Sequence, residues 1–297
     1  MRPLATLAAL ALVLGACTDS TVSTTTATDG TSVPSTVTTT TTRATTTTSV
    51  PLEEAVTTFF FEDTGGNKAR LGPFLVAVDD GAAGLEPGDA LNALLDGPPQ
   101  RAADAGITTE IPSETTLISF EAGADGVATV ELSQEFDDGG GSATMFGRLA
   151  QLTYTLTAYD GIESVLLLEN GAVVEVFSSE GIVLDGPMVR HDFQDLLPGI
   201  LVESPAWGAS VTLPFQVSGT AAAFEAVFQA QMLVDGNAVF DPPFVMSESG
   251  TGFADFAFDV DADVATPTSA IMRVWEFSAE DGSVVSERFV PLTITEG

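Results

Sequence analysis

The chain has 297 residues, of which 44% are apolar, enough length for about two domains and enough apolar side chains to give each a core. Its 42 Asp and Glu against 9 Lys and Arg leave a formal net charge of -33, which repels phosphate backbones and anionic lipid headgroups and argues against nucleic acid as a partner. A single Cys, Cys17, and a single His, His191, exclude a disulfide or a cysteine-rich metal site within the chain and leave any histidine-dependent nucleophilic catalysis with one candidate residue.

Met1-Arg2 gives a short positive start, and residues 4–16 are an almost unbroken apolar stretch ending in small residues. As a helix this stretch reaches about 20 Å, short of the ~30 Å hydrocarbon core of a bilayer. Residues 1–16 therefore read as a signal peptide, not a membrane span. The run Leu14-Gly15-Ala16-Cys17 resembles the bacterial lipobox, with Gly15 where Ala or Ser is commoner. The resemblance implies that Cys17 takes a diacylglycerol on its sulfur and becomes the mature N-terminus. It would then hold the protein to the outer face of the cytoplasmic membrane, and two acyl chains anchor stably where one binds marginally. The rest of 17–51 is almost all Thr, Ser, Val and Ala, broken at Pro34, with no aromatic residue and no hydrophobic period. Such a segment buries too little surface to offset its ordering entropy, which predicts a disordered Thr-rich linker. Fully extended it would reach roughly 110 Å, the length of a tether.

The first folded region is expected over 52–192. Residues 56–61 and 74–78 read as strands, and 87–95 as a short helix with Ala90, Leu91, Leu94 and Leu95 on one face and Gly97-Pro98-Pro99 as its stop. Residues 115–120 and 127–132 read as a strand pair across a Gly-rich turn. Residues 142–157 are the clearest helix: Met145, Leu149, Leu152 and Leu156 recur at helical spacing, and Ser142 follows three glycines as a candidate N-cap. Residues 164–168 and 173–177 predict a closing hairpin with its turn at Asn170-Gly171. Strands mixed with two helices predict an α+β domain, a mixed sheet with helices on one face.

Several of these segments resemble the GerMN domain. The run from Ala90 to Pro98 is similar to its first helix and stop, Ile111-Pro112 with the Thr-rich strand after it to a second segment, and 127–133 to a third. Gln151-Leu152-Thr153-Tyr154-Thr155-Leu156-Thr157 is similar to its most recognisable helix, followed by 161–165 and the Asn170-Gly171 turn.

The second folded region is expected over 198–297. In Ala226, Phe228, Ala230, Met232 and Val234 the apolar side chains occupy every second position, and Phe256, Phe258 and Val260 repeat this against Asp255 and Asp259. The row Ile271, Arg273, Trp275, Phe277 and the segment 284–294 complete the alternation. Strands separated by Gly, Pro and Asp turns, with no helical stretch, predict an all-β sandwich. Val202-Glu203-Ser204-Pro205, then Gly208, Val211 and Pro214, then Val217-Ser218-Gly219-Thr220 and Phe224-Glu225-Ala226, resemble the immunoglobulin-like domain of bacterial spore-germination proteins. Trp275-Glu276 and Asp281-Gly282-Ser283 fit its later strands.

Each candidate site residue carries a plain alternative. His191, between Arg190 and Asp192, needs a nucleophile and an orienting acid to be catalytic, and otherwise sits at the surface or domain junction. Asp259, Asp261 and Asp263 alternate like the first ligands of a calcium loop, but Val264 stands where that loop needs Gly and Ala270 where it needs Glu. Glu135-Phe136-Asp137-Asp138 is a second acidic loop, with a weak cation site as its sharper reading. Phe59-Phe60-Phe61 is either a strand buried on both faces or a strand with an exposed docking aromatic, and Trp207 is either core or an interface residue. The segment 183–197 is expected to be the hinge or interface between domains.

Neither a catalytic set nor a cofactor or metal site is expected. The GerMN resemblance implies a non-catalytic scaffold or accessory subunit of an envelope assembly, of sporulation or germination type or beside signalling proteins. It also implies protein partners in the envelope, with self-association through the GerMN-like domain as one form. The second reading is a lipoprotein that binds cell-wall glycan or a small solute through loops. A hydrolase using paired carboxylates is a distant third, because abundance of acids is not geometry.

Overall fold

A computed structural model describes residues 55–62, 74–83 and 86–297. The expected signal peptide, Cys17 and the Thr-rich linker lie outside the described residues.

The N-terminal lobe is organised around β1 (Ala55–Glu62), the central strand of an antiparallel sheet with β2 (Phe74–Ala83) on one edge and the short β3 (Ile107–Thr108) on the other. Its phenylalanines settle the question the sequence left open: Phe59, Phe60 and Phe61 are 0%, 0% and 2% exposed, so the strand is buried on both faces. Helix α1 (Pro87–Asp96) starts with Pro at its first position and stops at Gly97, whose φ of 85° favours glycine. It buries Ala90, Leu91 and Leu94. A second helix, α2 (Gln100–Asp104), follows at once. No periodicity announces it, because five residues with only Ala102 buried are too few to display one.

Strands β4 (Leu117–Ala122) and β5 (Val127–Leu132) pair antiparallel, as expected. The chain then crosses through α3 (Ser142–Leu156) to β6 (Ser164–Glu169), which lies parallel to β5. β7 (Ala172–Val173) returns antiparallel through Asn170-Gly171, with φ of 52° and 75°, as a two-residue hairpin turn requires. The expected partner strand 173–177 is split: β8 (Val176–Phe177) leaves the mixed sheet and pairs with β9 (Ile182–Val183). The lobe is α+β, but its strands form a three-stranded, a mixed four-stranded and a two-stranded sheet where a single sheet was expected.

Helix α3 is the packing centre. Gly141, not Ser142, is its N-cap, and the Ser142 hydroxyl donates instead to Glu180 (2.6 Å). A Cβ at Gly147 would stand 2.9 Å from Cγ of Glu110 and 3.2 Å from the Phe61 ring, so glycine lets helix and strand approach. β1 meets β3 only at Phe61 and Glu62, which leaves that edge unpaired at Phe59. Side chains of α3 serve as the missing strand. The Phe59 N–H donates to Thr155 Oγ1 (3.0 Å), and Gln151 Nε2 donates to the Phe59 carbonyl (3.0 Å). Gln151 Oε1 accepts from the Glu110 N–H (2.9 Å).

The C-terminal lobe is an all-β sandwich. One sheet has the order β10 (Ile200–Ser204), β12 (Phe215–Ala221), β16 (Ala254–Val260). The other runs β11 (Ser210–Val211), β18 (Val284–Ile294), β17 (Thr268–Phe277), β13 (Val227–Val234), β14 (Asn237–Phe240), with β15 (Val245–Met246) paired to β13. Phe228, Ala230 and Met232 of β13 and Phe256 and Val260 of β16 face the core, as their alternation predicted. On β17 the core row is Ala270, Met272 and Val274. The more conspicuous row Ile271, Arg273, Trp275, Phe277 is therefore on the opposite face.

The lobes meet through main chain as well as side chains. The Trp207 N–H donates to the Ala77 carbonyl (2.8 Å), and the Asp79 N–H donates to the Trp207 carbonyl (3.0 Å), so a C-lobe residue extends the edge of β2. The Trp207 side chain packs against both cores, while Leu201 and Ala206 belong to the N-lobe core. The segment 183–197 is packed, not extended. Met188 pairs with Val165, 3-10 turns cover Arg190–Leu196, and Phe193 and Leu197 are buried. All described residues fall within one compact unit, Val50–Gly297. Among them no helix is long and apolar enough to cross a membrane.

Replacing Gln151 by Leu keeps the volume and leaves the Phe59 carbonyl and the Glu110 N–H without partners. The expected cost is about 2–4 kcal/mol, read as a lower urea midpoint with an unchanged slope.

Candidate functional site

Five Lys or Arg fall among the described residues, all of them arginines: Arg101, Arg148, Arg190, Arg273 and Arg288. Three sit where the lobes meet. Arg190, delivered by the turn after Met188, donates through Nε to Thr157 Oγ1 (2.7 Å) and through Nη1 to both carboxylate oxygens of Glu203 on β10 (2.8 and 2.7 Å). Its guanidinium lies 4.8 Å from the Tyr154 ring centroid and 5.8 Å from that of Phe59. The Tyr154 hydroxyl donates to the Arg190 carbonyl (3.2 Å), and burial pushes that hydroxyl's pKa well above its usual range.

Arg101 of α2 donates to the Asp79 carbonyl, 3.8 Å from that residue's carboxylate. It passes beneath Gly208, where a Cβ would stand 3.0 Å from Nε and where φ is +83°. Arg288 of β18 lies over the Phe74 ring at 5.1 Å and faces Glu62 of β1. Burial pushes the Glu62 carboxyl above its ordinary range and Arg288 pulls it part of the way back.

Two adjoining hollows of about 660 and 500 Å³ run along this seam and share Thr157, Arg190 and Asp255. Their walls mix polar and apolar groups: Ser218, Ser247 and Glu248 beside Met246 and Phe256 in one, Glu163 and His191 beside Ile162 and Phe253 in the other. Arg190 is committed to Glu203, so the unneutralised acids Glu163, Glu248 and Asp255 set the sign of the cleft. Such a cleft suits a cationic or hydroxyl-rich ligand and rejects an anion.

His191 lies exposed at the rim of the smaller hollow. Its neighbour Asp192 does not orient it, because the Asp192 carboxylate accepts from the Val189 N–H (2.9 Å). Arg190, the other neighbour, is the residue that reaches the second lobe. Trp207 is an interface residue, but the interface is internal.

The acidic loops are separate from the cleft. Asp259, Asp261 and Asp263 are exposed at the end of β16 and beyond, where Asp259 accepts from Gln216 Nε2 (3.3 Å). The Glu135–Asp138 loop does surround a cation, and that cation is Arg148. Only 3% exposed, Arg148 donates to the carbonyls of Glu110 (2.8 Å), Phe136 (2.6 Å), Asp138 (2.8 Å) and Gly139 (3.1 Å). Burial raises the pKa of Asp137 beside it, and Arg148 lowers it in part. Sequence reading passed over Arg148, although a lone arginine in the buried phase of a helix is a signal in itself. Among the described residues no group of three or more His, Cys, Asp or Glu is arranged to hold a metal ion.

Comparison with known proteins gives two family matches. Residues 57–175 match the family Germane, described as sporulation and spore germination. Residues 199–283 match Gmad2, the immunoglobulin-like domain of bacterial spore germination. No curated protein matches the chain. Similar solved structures include the first GerMN domain of the sporulation protein GerM from Bacillus subtilis, at 20% identity over 46% of this chain and 100% of that one, with a TM-score of 0.37. They also include the tandem GerMN domains of the same protein, at 15% identity and a TM-score of 0.39. That alignment takes in 81% of this chain and spans 61% of the other.

Arg148→Met is expected to destabilise the N-terminal lobe by about 3 kcal/mol or more, because four carbonyls lose a charged donor; thermal unfolding followed by circular dichroism measures it. The Glu62 carboxyl predicts a pH effect of fixed sign. Its folded-state pKa is raised, so the ionised form weakens folding at neutral pH, and the penalty fades as pH falls through the raised value and is gone below the ordinary one. The natural chain should therefore gain Tm relative to Glu62→Gln as pH falls from neutrality through the ordinary carboxylate range. A constant difference across that window would contradict the assignment.

Proposed function

Because the chain carries a Germane domain followed by a Gmad2 immunoglobulin-like domain, we propose that it is an accessory protein of the bacterial cell envelope that acts as a non-catalytic scaffold. In this reading Cys17 is lipidated and holds the protein to the outer face of the cytoplasmic membrane, and the segment before residue 52 is its tether. Its partners are other envelope proteins.

The observation that carries the scaffold reading is the seam. Main-chain pairing at Trp207 and the bidentate Arg190–Glu203 contact join the lobes into one body, as suits a part that presents fixed surfaces to neighbours. A protein that clamps a substrate between its lobes needs a hinge. Here the connecting segment is buried at Phe193 and Leu197. The acidic cleft is what favours the alternative, a lipoprotein that binds wall glycan or a small solute.

The test uses the natural protein in its native membrane. The expected mass shows the leader absent and diacylglycerol on Cys17. Cys17→Ala should move the protein to the soluble fraction and abolish crosslinks to defined envelope proteins. An unmodified sulfur would sink the anchoring. Absence of reproducible crosslinks, together with a Tm that rises on adding soluble wall fragments, would replace the scaffold by the glycan binder.

A further inference from the structure

We propose that the outward face of the larger C-lobe sheet is a docking surface for a cationic, aliphatic-rich polypeptide segment of a partner protein. This goes beyond the scaffold reading and does not depend on lipidation of Cys17.

The outer face of a sandwich sheet that meets water alternates to polar side chains. Here it does not. Ile271, Phe277, Val284 and Phe289 are 39%, 49%, 43% and 47% exposed. They are grouped by the strand register: Arg273 of β17 stands opposite Phe289 of β18, and Phe277 opposite Val284. From Ile271 to Phe277 the row runs about 20 Å along β17. Exposed apolar side chains grouped on one face of a strongly acidic chain mark an interaction site.

A second observation lies beneath the stripe. Trp275 is 7% exposed, and its Nε1 is buried without a hydrogen-bond partner. Buried indole N–H groups ordinarily find an acceptor. Above the ring lies the Arg273 guanidinium, 4.1 Å from its centroid, held there by Glu287 through Nε (2.8 Å) and Nη2 (2.6 Å).

Charge selects the occupant. The cation on this face is already neutralised by Glu287, and exposed carboxylates stand at both ends of the stripe. Asp235 follows Leu233, which pairs with Ile271, and Glu280 and Asp281 lie in the turn after Phe277. The complement is a segment with an apolar centre and Lys or Arg at its ends. A second copy would bring a net charge of -33 against -33, and anionic lipid is repelled for the same reason.

The chain has two tryptophans, so a full-length Trp207→Phe variant makes Trp275 the sole fluorophore. The probe is a synthetic peptide of alternating Lys and Leu, about ten residues long to span the stripe. Saturable binding with a change in Trp275 emission is expected. Phe289→Ser and Phe277→Ser, which leave the charge unchanged, should weaken binding at least about tenfold. Titration calorimetry on the natural chain with and without Phe289→Ser gives the same comparison should Trp207→Phe unfold. Equal affinity for Phe289→Ser would show attraction by charge alone and overturn the proposal. Binding that leaves Trp275 emission unchanged would place the peptide elsewhere and also overturn it. So would binding of phosphatidylcholine vesicles in place of the peptide, or a dimer in sedimentation that Phe289→Ser dissociates.

Discussion

The described part of this protein is governed by a shortage of positive charge. Five arginines serve a surface crowded with carboxylates, and each is committed to an internal contact. Arg148 fills a loop from within, Arg101, Arg190 and Arg288 work at the seam, and Arg273 lies on the outer sheet between Trp275 and Glu287. A guanidinium suits these positions because its planar fork reaches several acceptors at once and stacks on aromatic rings, which a lysine ammonium does not match. The consequence is a surface on which carboxylates go largely uncompensated, and an interior whose arrangement turns on a few cations.

These arginines orient the lobes more than they hold them together. Arg190 and Glu203 are partly solvated, and pairs of that kind contribute on the order of 1 kcal/mol. Burial of Leu201, Ala206 and part of Trp207 against the N-lobe core, with two main-chain hydrogen bonds across the seam, contributes more. The ion pairs select one angle among those that apolar contact would allow. The same division appears inside the N-terminal lobe. The phenylalanines of β1 supply the burial, and Gln151 and Thr155 fix the register by satisfying an edge that no strand covers. That gives a physical reason for two polar residues in the run from Gln151 to Thr157: Gln151 and Thr155 are substitutes for a strand.

The sequence was legible wherever one local rule decided the structure. The helix of α3, the Asn170-Gly171 turn and the alternation on β13 each follow from a period or a backbone preference carried by adjacent residues. It failed where two readings had equal local support. On β17 one row is apolar and the other is apolar but for Arg273, and the row with the larger side chains looks like core; only the partner sheet decides that Ala270, Met272 and Val274 face inward. Helix α2 is too short to show a period, and the split of 173–177 depends on pairing with Ile182–Val183. The site suffered more than the fold. His191 drew attention because it is the lone histidine, while Arg190 beside it makes the contact between lobes, and the acidic loop that resembled a cation site is closed by an arginine ten or more residues further along the chain.

A packed seam also constrains how ligands and partners act on the molecule. Closing or opening the cleft around Arg190 would break the Trp207 main-chain pairs and separate Arg190 from Glu203, so an occupant must fit the cleft largely as it stands. The cleft and the outer sheet share a sign, because neither offers an uncommitted cation. Both therefore favour positively charged partners, and the field of the whole chain steers such partners before contact. The cleft intersperses its hydroxyls and carboxylates with apolar groups such as Met246, whereas the outer sheet exposes Phe277 and Phe289. Raising the salt weakens both attractions, but it leaves the apolar contribution at the sheet intact. The lobes' fixed angle carries that surface as one body with the N-terminal lobe.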